Sequence, residues 1–252
     1  MTETNRLRPE SLAVVLYAYN ERGNLLRLLS RIRAVLAREL PECRVRYAIC
    51  VQGQDGTLDE VRRFEESLRG DPRSRLASFH SAAPMGVRGA CLQAFALVDG
   101  QPDAYLMMDC DCNHQPEELP RFLPHLCRGR VVIGSRFCAG GRIVGMPAWK
   151  HFLSVVFNVF SSVVLRVPVR DKTSGYRLIA GADAPRIAAR VIGRGFDFYI
   201  EFLLRLHAAG YSMVEVPIEF RVRTAGVSKM RIGRTLIDYL GLLRRMLSGK
   251  LK

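Results

Sequence analysis

Two hydrophobic periods alternate along the first half of the chain. Residues 12–19 form a continuous apolar run, which predicts a buried strand, and from Asn24 onward apolar residues recur at helical spacing. Strands separated by helices predict an α/β fold with a mostly parallel sheet covered on both faces. The further predicted strands are 46–51, 76–80, 104–109 and 131–135, and the further predicted helices are 58–68, 89–98 and one opening at Pro116.

Two amphipathic segments distinguish the second half. Residues 149–167 are mostly apolar, and four of their polar residues, Ser154, Asn158, Ser161 and Ser162, share one stripe of a helix. Residues 232–251 combine helically spaced leucines with arginines and lysines, which predicts a basic amphipathic helix. Such a helix either lies in a membrane interface or packs on the domain as its last helix.

Composition restricts the class of protein. The 252 residues are 48% hydrophobic and 25% charged, as in globular domains. No run of about 18 apolar residues is present, so we expect no membrane span, and the N-terminus lacks the pattern of a secretory signal. Seven cysteines without a CxxC pair predict reduced thiols in a cytoplasmic protein.

The charge points to anionic partners. Lys and Arg total 38 against 24 acids, a formal net charge of +14. Nucleic acid, phosphorylated small molecules and an anionic membrane surface all fit such an excess. Aromatic residues do not interleave with the basic ones as they do in RNA-binding modules, so we expect no nucleic-acid partner.

The most distinctive local pattern is acidic and ends an apolar strand. Asp109 and Asp111 lie two residues apart and face one side while the chain stays extended, and Asn113 can add a third oxygen. Oxygen ligands suit Mg²⁺ or Mn²⁺. Cys110 and Cys112 should face the other way. The alternative is a solvated turn that caps the helix after Pro116.

Several cationic side chains follow predicted strands or a glycine-rich turn. Residues 86–90 (GVRGA) precede a helix, where backbone N–H groups and a guanidinium can meet a diphosphate. Each of these cations alone is more typical of a surface salt bridge, but their shared placement favours a phosphate site. They are Arg88, Arg136, Arg177, Arg223 and Lys229.

The order of these motifs resembles the family 2 glycosyltransferases of GT-A (Rossmann-like) fold, and within them the dolichol- or polyprenyl-phosphate mannose synthases. The resemblance runs from about residue 12 to residue 230. Its motifs are YNE at 19–21, DGT at 55–57, GVRGA at 86–90, DCDCNHQP at 109–116, GSRF at 134–137, TSGYR at 173–177, EVPI at 215–218 and RTAGVSK at 223–229.

The resemblance implies an inverting transfer of a hexose, mannose above all, from a nucleotide-diphosphate sugar to a polyprenyl phosphate. The nucleophile is then an ionised phosphate oxygen, so the reaction needs no strong general base. The implied organisation is a single GT-A domain over 8–230 and a C-terminal amphipathic helix over 231–252, with peripheral contact at the inner face of the membrane.

The same resemblance implies roles for individual residues. The metal ligands for Mg²⁺ or Mn²⁺ are Asp109, Asp111 and Asn113. The catalytic residues are Asp111, Arg136 and Arg177. The donor contacts are Tyr19, Asn20, Glu21, Gln52, Asp55, Arg88, Asp109, Arg223 and Lys229. The acceptor-phosphate contacts are Arg136, Lys150, Ser154 and Asn158, with Lys150 replacing an arginine.

Two departures from the family pattern fall on the nucleoside side of the site. The paired aspartates of its DDGS motif are replaced by CVQG at 50–53, and the Pro-Thr before YNE by Tyr17 and Ala18. A carboxylate there would accept an N–H from guanine or uracil, whereas the Gln52 amide can both donate and accept. The donor therefore stays open between GDP-mannose and a UDP-sugar.

A second hypothesis is a family 2 enzyme that glycosylates a soluble hydroxyl acceptor such as a natural product. A hydroxyl needs a general base, and the candidates are Asp197 in the GFD segment at 195–197 and Glu201 on the following helix.

Overall fold

The alternating pattern of the first half folds into a seven-stranded sheet in the computed structural model, which describes residues 6–149, 158, 167–222, 238–239, 241–242 and 244–245. The strands are β1 (Ser11–Tyr19), β2 (Arg44–Gln52), β3 (Ser74–Ser81), β4 (Ala104–Met107), β5 (Arg130–Ser135), β6 (Arg142–Val144), β7 (Arg177–Ala180), β8 (Ser212–Pro217) and β9 (Glu219–Arg221). The helices are α1 (Leu25–Glu39), α2 (Thr57–Ser67), α3 (Gly86–Ala96), α4 (Ala184–Ala189) and α5 (Asp197–Ala208).

The sheet is mixed in direction at a single strand. Its order is β3-β2-β1-β4-β7-β5-β8, and β7 runs antiparallel to both β4 and β5, while the other pairings are parallel. A separate parallel pair joins β6 to β9. The prediction of a mostly parallel sheet is therefore confirmed.

Both faces of the sheet are covered by helices. One apolar cluster lies between the sheet and the α1–α2 side, and α1 buries the residues that the spacing selected, Leu25, Leu28, Leu29, Ile32, Val35 and Leu36. The other cluster lies under α3, α4 and α5. Strands buried on both faces explain why β1 and β4 are continuous apolar runs in the sequence.

The segment after Pro116 is not the predicted α-helix. It forms two short 3-10 helices, Pro116–Arg121 and Leu123–His125. Pro120 lies inside the first of them, and Pro124 inside the second. Because proline has no N–H and its ring clashes with the preceding turn, an α-helix cannot continue through either position.

Much of the two predicted amphipathic segments lies outside the described residues. Asn158 is described as helical and buried, and the described residues of 238–245 are helical. Within the described ranges, no helix is both long and apolar enough to cross a bilayer.

Candidate active site

Several predicted site residues converge on one edge of the sheet. β1, β2, β4 and β5 are parallel, so their carboxyl ends, followed by Asn20, Gly53, Asp109 and Arg136, reach the same edge. Because β7 runs the opposite way, its first residue, Arg177, is brought to this edge between β4 and β5. This edge is where α/β sheets bind their ligands.

The acidic segment forms a turn, not the extended chain assumed from its sequence. The chain turns at Cys110 and Asp111, and Cys112 has φ of 60°, in the left-handed region. Asp111 accepts hydrogen bonds from the Asn113 backbone N–H at 3.1 Å and from the Asn113 amide nitrogen at 2.7 Å. Asp111 and Asn113 thus meet through the turn, and Cys110 is buried in the apolar core, as expected of a residue that does not face the ligand set.

Asp109 is held on two sides. Its Oδ1 accepts a hydrogen bond from the Tyr199 hydroxyl at 2.9 Å. A methyl group at Gly175 would lie 2.4 Å from the same oxygen, so only glycine leaves room for the carboxylate there. Its Oδ2 lies 3.6 Å from His114 Nδ1, and one third of the Asp109 side chain remains exposed.

Opposing effects act on the Asp109 carboxyl. Burial raises its pKa, while the hydrogen bond from Tyr199 and the guanidinium groups of Arg136 and Arg177 lower it. The Glu21 carboxylate adds to the increase, and the net pKa lies above the ordinary value. A second anion close to Asp109 is a setting in which a bound cation would restore the ionised form.

Arg136 is oriented by a carboxylate from a neighbouring loop. Its Nε and one terminal nitrogen each donate to Asp171 at 2.7 Å, and the same nitrogen reaches the Thr173 hydroxyl at 2.6 Å. Burial lowers the pKa of Arg136, but the charge and hydrogen bonds of Asp171 outweigh it and raise the pKa overall. The guanidinium also lies 5.1 Å from the ring centre of Phe220. The predicted cation is therefore present at the edge and held in a fixed plane.

Arg177 lies at the same edge of the sheet, and its side chain is directed into the interior. Its side chain is fully buried, and it donates to the carbonyls of Ser174, Lys172 and Tyr199 at 2.9, 3.0 and 2.8 Å. Its remaining nitrogen, Nη1, has no partner among the described residues. The described hydrogen bonds of Arg177 all go to backbone carbonyls, and its contact with the reacting groups stays a prediction.

The YNE and DGT segments are tied to each other. Asp55 accepts from the Arg22 backbone N–H at 2.9 Å and from Thr57, and the Glu21 backbone N–H donates to the Thr57 hydroxyl at 2.8 Å. Asp55 thus organises the start of α2. The hydrogen bonds of Asp55 to Arg22 and Thr57 therefore stabilise the fold at this edge of the sheet.

A close approach joins the ends of β1 and β2. Asn20 has φ of 50°, and a methyl group at Gly53 would lie 1.9 Å from the Asn20 side-chain oxygen. With φ of 94° and the Asn20 side chain this close, position 53 of this chain favours glycine. Tyr19, the last residue of β1, is 39% exposed at the same edge.

Gln52 and Arg88 are both engaged by the protein. Gln52 is buried, and its side-chain oxygen accepts from the Met85 backbone N–H at 2.6 Å. Arg88 donates to the carbonyls of Val191 at 2.5 Å and Ala189 at 3.2 Å. Its guanidinium therefore binds the end of α4, and its contact with a diphosphate stays a prediction.

The general-base candidates of the second hypothesis are paired. Asp197 is 3% exposed and contacts Arg245 at 2.7 Å. Glu201 is fully buried, accepts from the backbone N–H groups of Ile192 and Gly193, and contacts Arg205 at 2.9 Å. Carboxylates held in this way are poorly disposed to take a proton from a substrate hydroxyl.

Four predicted ligand-binding residues lie outside the described residues, namely Lys150, Ser154, Arg223 and Lys229. Of the predicted acceptor stripe, Asn158 is described and is 4% exposed. Asp171 and Tyr199 are contacts that the sequence analysis did not select. Tyr199 lies 90 residues from Asp109, and no local pattern connects the two.

Similarity to known proteins agrees with this architecture. The family model for glycosyl transferase family 2 matches residues 13–180. The chain is 32% identical over 221 residues to polyprenol monophosphomannose synthase of Mycolicibacterium smegmatis, covering 86% of this chain and 80% of that protein. It is 31% identical over 223 residues to undecaprenyl-phosphate mannosyltransferase of Micrococcus luteus, covering 87% of each.

The fold is also shared with a solved structure. Glucosyl-3-phosphoglycerate synthase from Mycobacterium tuberculosis, crystallised with Mg²⁺ and uridine diphosphate, matches with a TM-score of 0.59 at 17% identity. The match covers 96% of this chain and 78% of that one. The expectation of a GT-A-like fold is thereby confirmed.

Proposed function

The chain belongs to glycosyl transferase family 2, and from this we propose that it transfers mannose from a nucleotide-diphosphate sugar to a polyprenyl phosphate. The names of the two relatives support the sugar and the lipid. The observation that carries the proposal is the pairing, at one edge of the sheet, of the Asp109–Asn113 acidic turn with the oriented guanidinium of Arg136. A metal-binding turn suits the donor diphosphate, and a fixed cation suits an anionic acceptor.

The acidic turn fits a hard divalent cation. Among the described residues no three His, Cys, Asp or Glu side chains form a ligand group. Asp109, Asp111 and Asn113 would instead supply two carboxylates and an amide oxygen, and Mg²⁺ commonly completes such a shell with substrate phosphates and water. When bound, the cation neutralises charge on the departing nucleoside diphosphate.

The remaining steps fall to the protein's own groups. Asp171 holds the Arg136 guanidinium in the plane from which it can meet an acceptor phosphate. A phosphate monoester is already ionised at neutral pH, so no side chain has to remove a proton from it. This agrees with the pairing of Asp197 and Glu201, the bases that a hydroxyl acceptor would require.

The nucleobase of the donor is less constrained. Cys50 is fully buried and burial raises its pKa to about 11, so its thiol is neutral at the position where the family pattern has an aspartate. We propose GDP-mannose as the first donor to test and UDP-sugars as the second. We further propose that the protein contacts the membrane surface peripherally, where its lipid acceptor resides.

The test is a donor screen with a short polyprenyl phosphate in the presence of Mn²⁺ or Mg²⁺, followed by mass spectrometry of the lipid. We expect a mannolipid from one donor, and none after addition of EDTA. Asp111→Asn should reduce turnover by about 100-fold or more, because Asp111 is both a proposed metal ligand and the hydrogen-bond partner of Asn113. Asp59→Asn, on the exposed side of α2, is the matched control and should leave turnover within about twofold.

Two results would contradict the proposal in different ways. Unchanged turnover in Asp111→Asn would remove the metal assignment. Transfer to soluble alcohols, with no lipid product from any donor, would replace the lipid phosphate with a hydroxyl acceptor.

A further inference from the structure

The hydroxyls of Tyr17, which is half-buried, and Tyr199, which is buried, form a chain of hydrogen bonds that ends on Asp109. The Tyr17 hydroxyl donates to the Tyr199 hydroxyl at 2.8 Å, and the Tyr199 hydroxyl donates to Asp109 Oδ1 at 2.9 Å. Tyr17 lies in β1 and Tyr199 in the first turn of α5, so the chain joins the sheet to a covering helix. Their ring centres are 6.5 Å apart.

The first member of this chain occupies a position where the sequence departs from its family pattern. Tyr17 stands where that pattern has proline, and a proline has no side-chain donor. In the β1–β2 register Tyr17 is paired with Cys50, the position of the other departure. The two replacements therefore lie side by side, and one of them introduces the hydroxyl that reaches Tyr199.

Arg177 holds Tyr199 in place from behind. Its guanidinium lies 5.6 Å from the Tyr199 ring centre and donates to the Tyr199 carbonyl at 2.8 Å. The same guanidinium is anchored to the carbonyls of Ser174 and Lys172. The backbone and ring of Tyr199 are thus both restrained, and its hydroxyl has a defined direction toward Asp109.

We propose that Tyr199, supported by Tyr17, is a positioning residue that fixes the Asp109 carboxylate for binding of the divalent cation. The inference rests on the proposed function, since it takes Asp109 as a metal ligand. One carboxylate oxygen is hydrogen-bonded and pressed against Gly175, so the carboxylate cannot rotate freely, and its exposed part faces the edge of the sheet. Ligands oriented in advance bind metal more tightly.

The test compares conservative variants by titration with Mn²⁺, followed through the electron paramagnetic resonance of the free ion, at saturating GDP or UDP. Tyr199→Phe keeps the ring on Arg177 and removes the hydroxyl alone. We expect Mn²⁺ affinity to fall about 10-fold. Turnover should recover at high Mn²⁺, so that the apparent KM for the metal rises far more than kcat falls. Tyr17→Phe should have a smaller effect, because Tyr199 can still donate to Asp109.

The matched control is Tyr176→Phe. The Tyr176 hydroxyl is buried and has no partner among the described residues, so its removal takes away a phenolic oxygen without breaking a hydrogen bond. Mn²⁺ affinity should be unchanged in this variant. Suppose that Asp111→Asn loses Mn²⁺ binding but Tyr199→Phe binds Mn²⁺ as tightly as Tyr176→Phe. That result would overturn this inference and leave the proposed metal site standing. A wild-type enzyme that binds no Mn²⁺ would overturn the inference together with the proposed metal site.

Discussion

His114 is a residue whose chemistry is set by burial. It is 1% exposed, both ring nitrogens lack a hydrogen-bond partner among the described residues, and the ring packs between Tyr176 and Phe220. Burial lowers its pKa to about 4, the charge of Asp111 opposes this decrease and that of Arg136 adds to it. His114 is therefore neutral in the folded protein at physiological pH.

This shift predicts a loss of stability toward acid. The unfolded chain binds a proton at His114 near pH 6.5, and the folded chain only near pH 4. The contribution of His114 to the free energy of unfolding is therefore complete above pH 6.5 and is lost as the pH falls toward 4. Between pH 7.5 and 5 the contribution is about 2 kcal/mol. Urea unfolding of the wild type and of His114→Phe at both pH values measures it. Because Asp109 titrates in both proteins, the difference between them isolates His114. Equal pH dependence in the two proteins would contradict the assignment.

At the scale of elements, α5 connects the C-terminal segment to the acidic turn. Its first turn carries Asp197 and Tyr199, the partners of Arg245 and Asp109. Asp197 and Glu201 are both nearly inaccessible to solvent, so Arg245 compensates charge that water cannot reach. The described contacts of Arg245 with α5 are therefore electrostatic.

The prediction at this scale concerns unfolding. Arg245→Gln should lower the free energy of unfolding by about 1–3 kcal/mol, less than for a fully buried pair because Arg245 is 21% exposed. A double-mutant cycle with Asp197→Asn should show a coupling energy of about 1 kcal/mol or more. Arg244→Gln, at the exposed neighbouring position, should change stability by less than about 0.5 kcal/mol. Additive effects of the two substitutions would show that the pair is not coupled.

The sequence predicted those elements whose pattern is local. Continuous apolar runs located β1, β2, β4 and β5, and helical spacing located α1. In each case the apolar residues of the element itself indicate how it is buried. The antiparallel direction of β7 was not predictable in this way, since it depends on which strands are its neighbours.

The candidate site was predictable to the same extent. The motifs select Asp109, Asp111, Asn113 and Arg136, which follow the carboxyl ends of β4 and β5, and their roles toward ligands stay predictions. The hydrogen-bond partners of a side chain depend on residues that are distant in sequence, and this is why the sequence did not predict that Arg88 and Arg177 bind backbone carbonyls.

At the scale of the whole molecule, the net charge of +14 and the exposed apolar side chains both favour contact with an anionic membrane surface. Trp149, the only tryptophan of the sequence, is 56% exposed, and Val144 in β6 is 45% exposed. Strand β6 also carries Arg142, and the adjacent β9 carries Arg221, both largely exposed. Exposed apolar and cationic groups of this kind suit the interface of an anionic bilayer.

Trp149 allows the proposed membrane contact to be tested without a label. On addition of anionic vesicles we expect its emission to shift to the blue, and the shift to be reduced in 1 M salt relative to 0.1 M, because the Debye length falls from about 10 Å to about 3 Å. Neutral vesicles should produce a much smaller change. The matched control combines Trp149→Phe with Phe79→Trp, which moves the reporter to β3, at the opposite edge of the sheet from β8. Its emission should stay constant while cosedimentation with vesicles persists. A blue shift of the emission in the control protein, and none in the wild type, would contradict the prediction. It would assign the membrane contact to the β3 edge and not to the strands that carry Arg142 and Arg221.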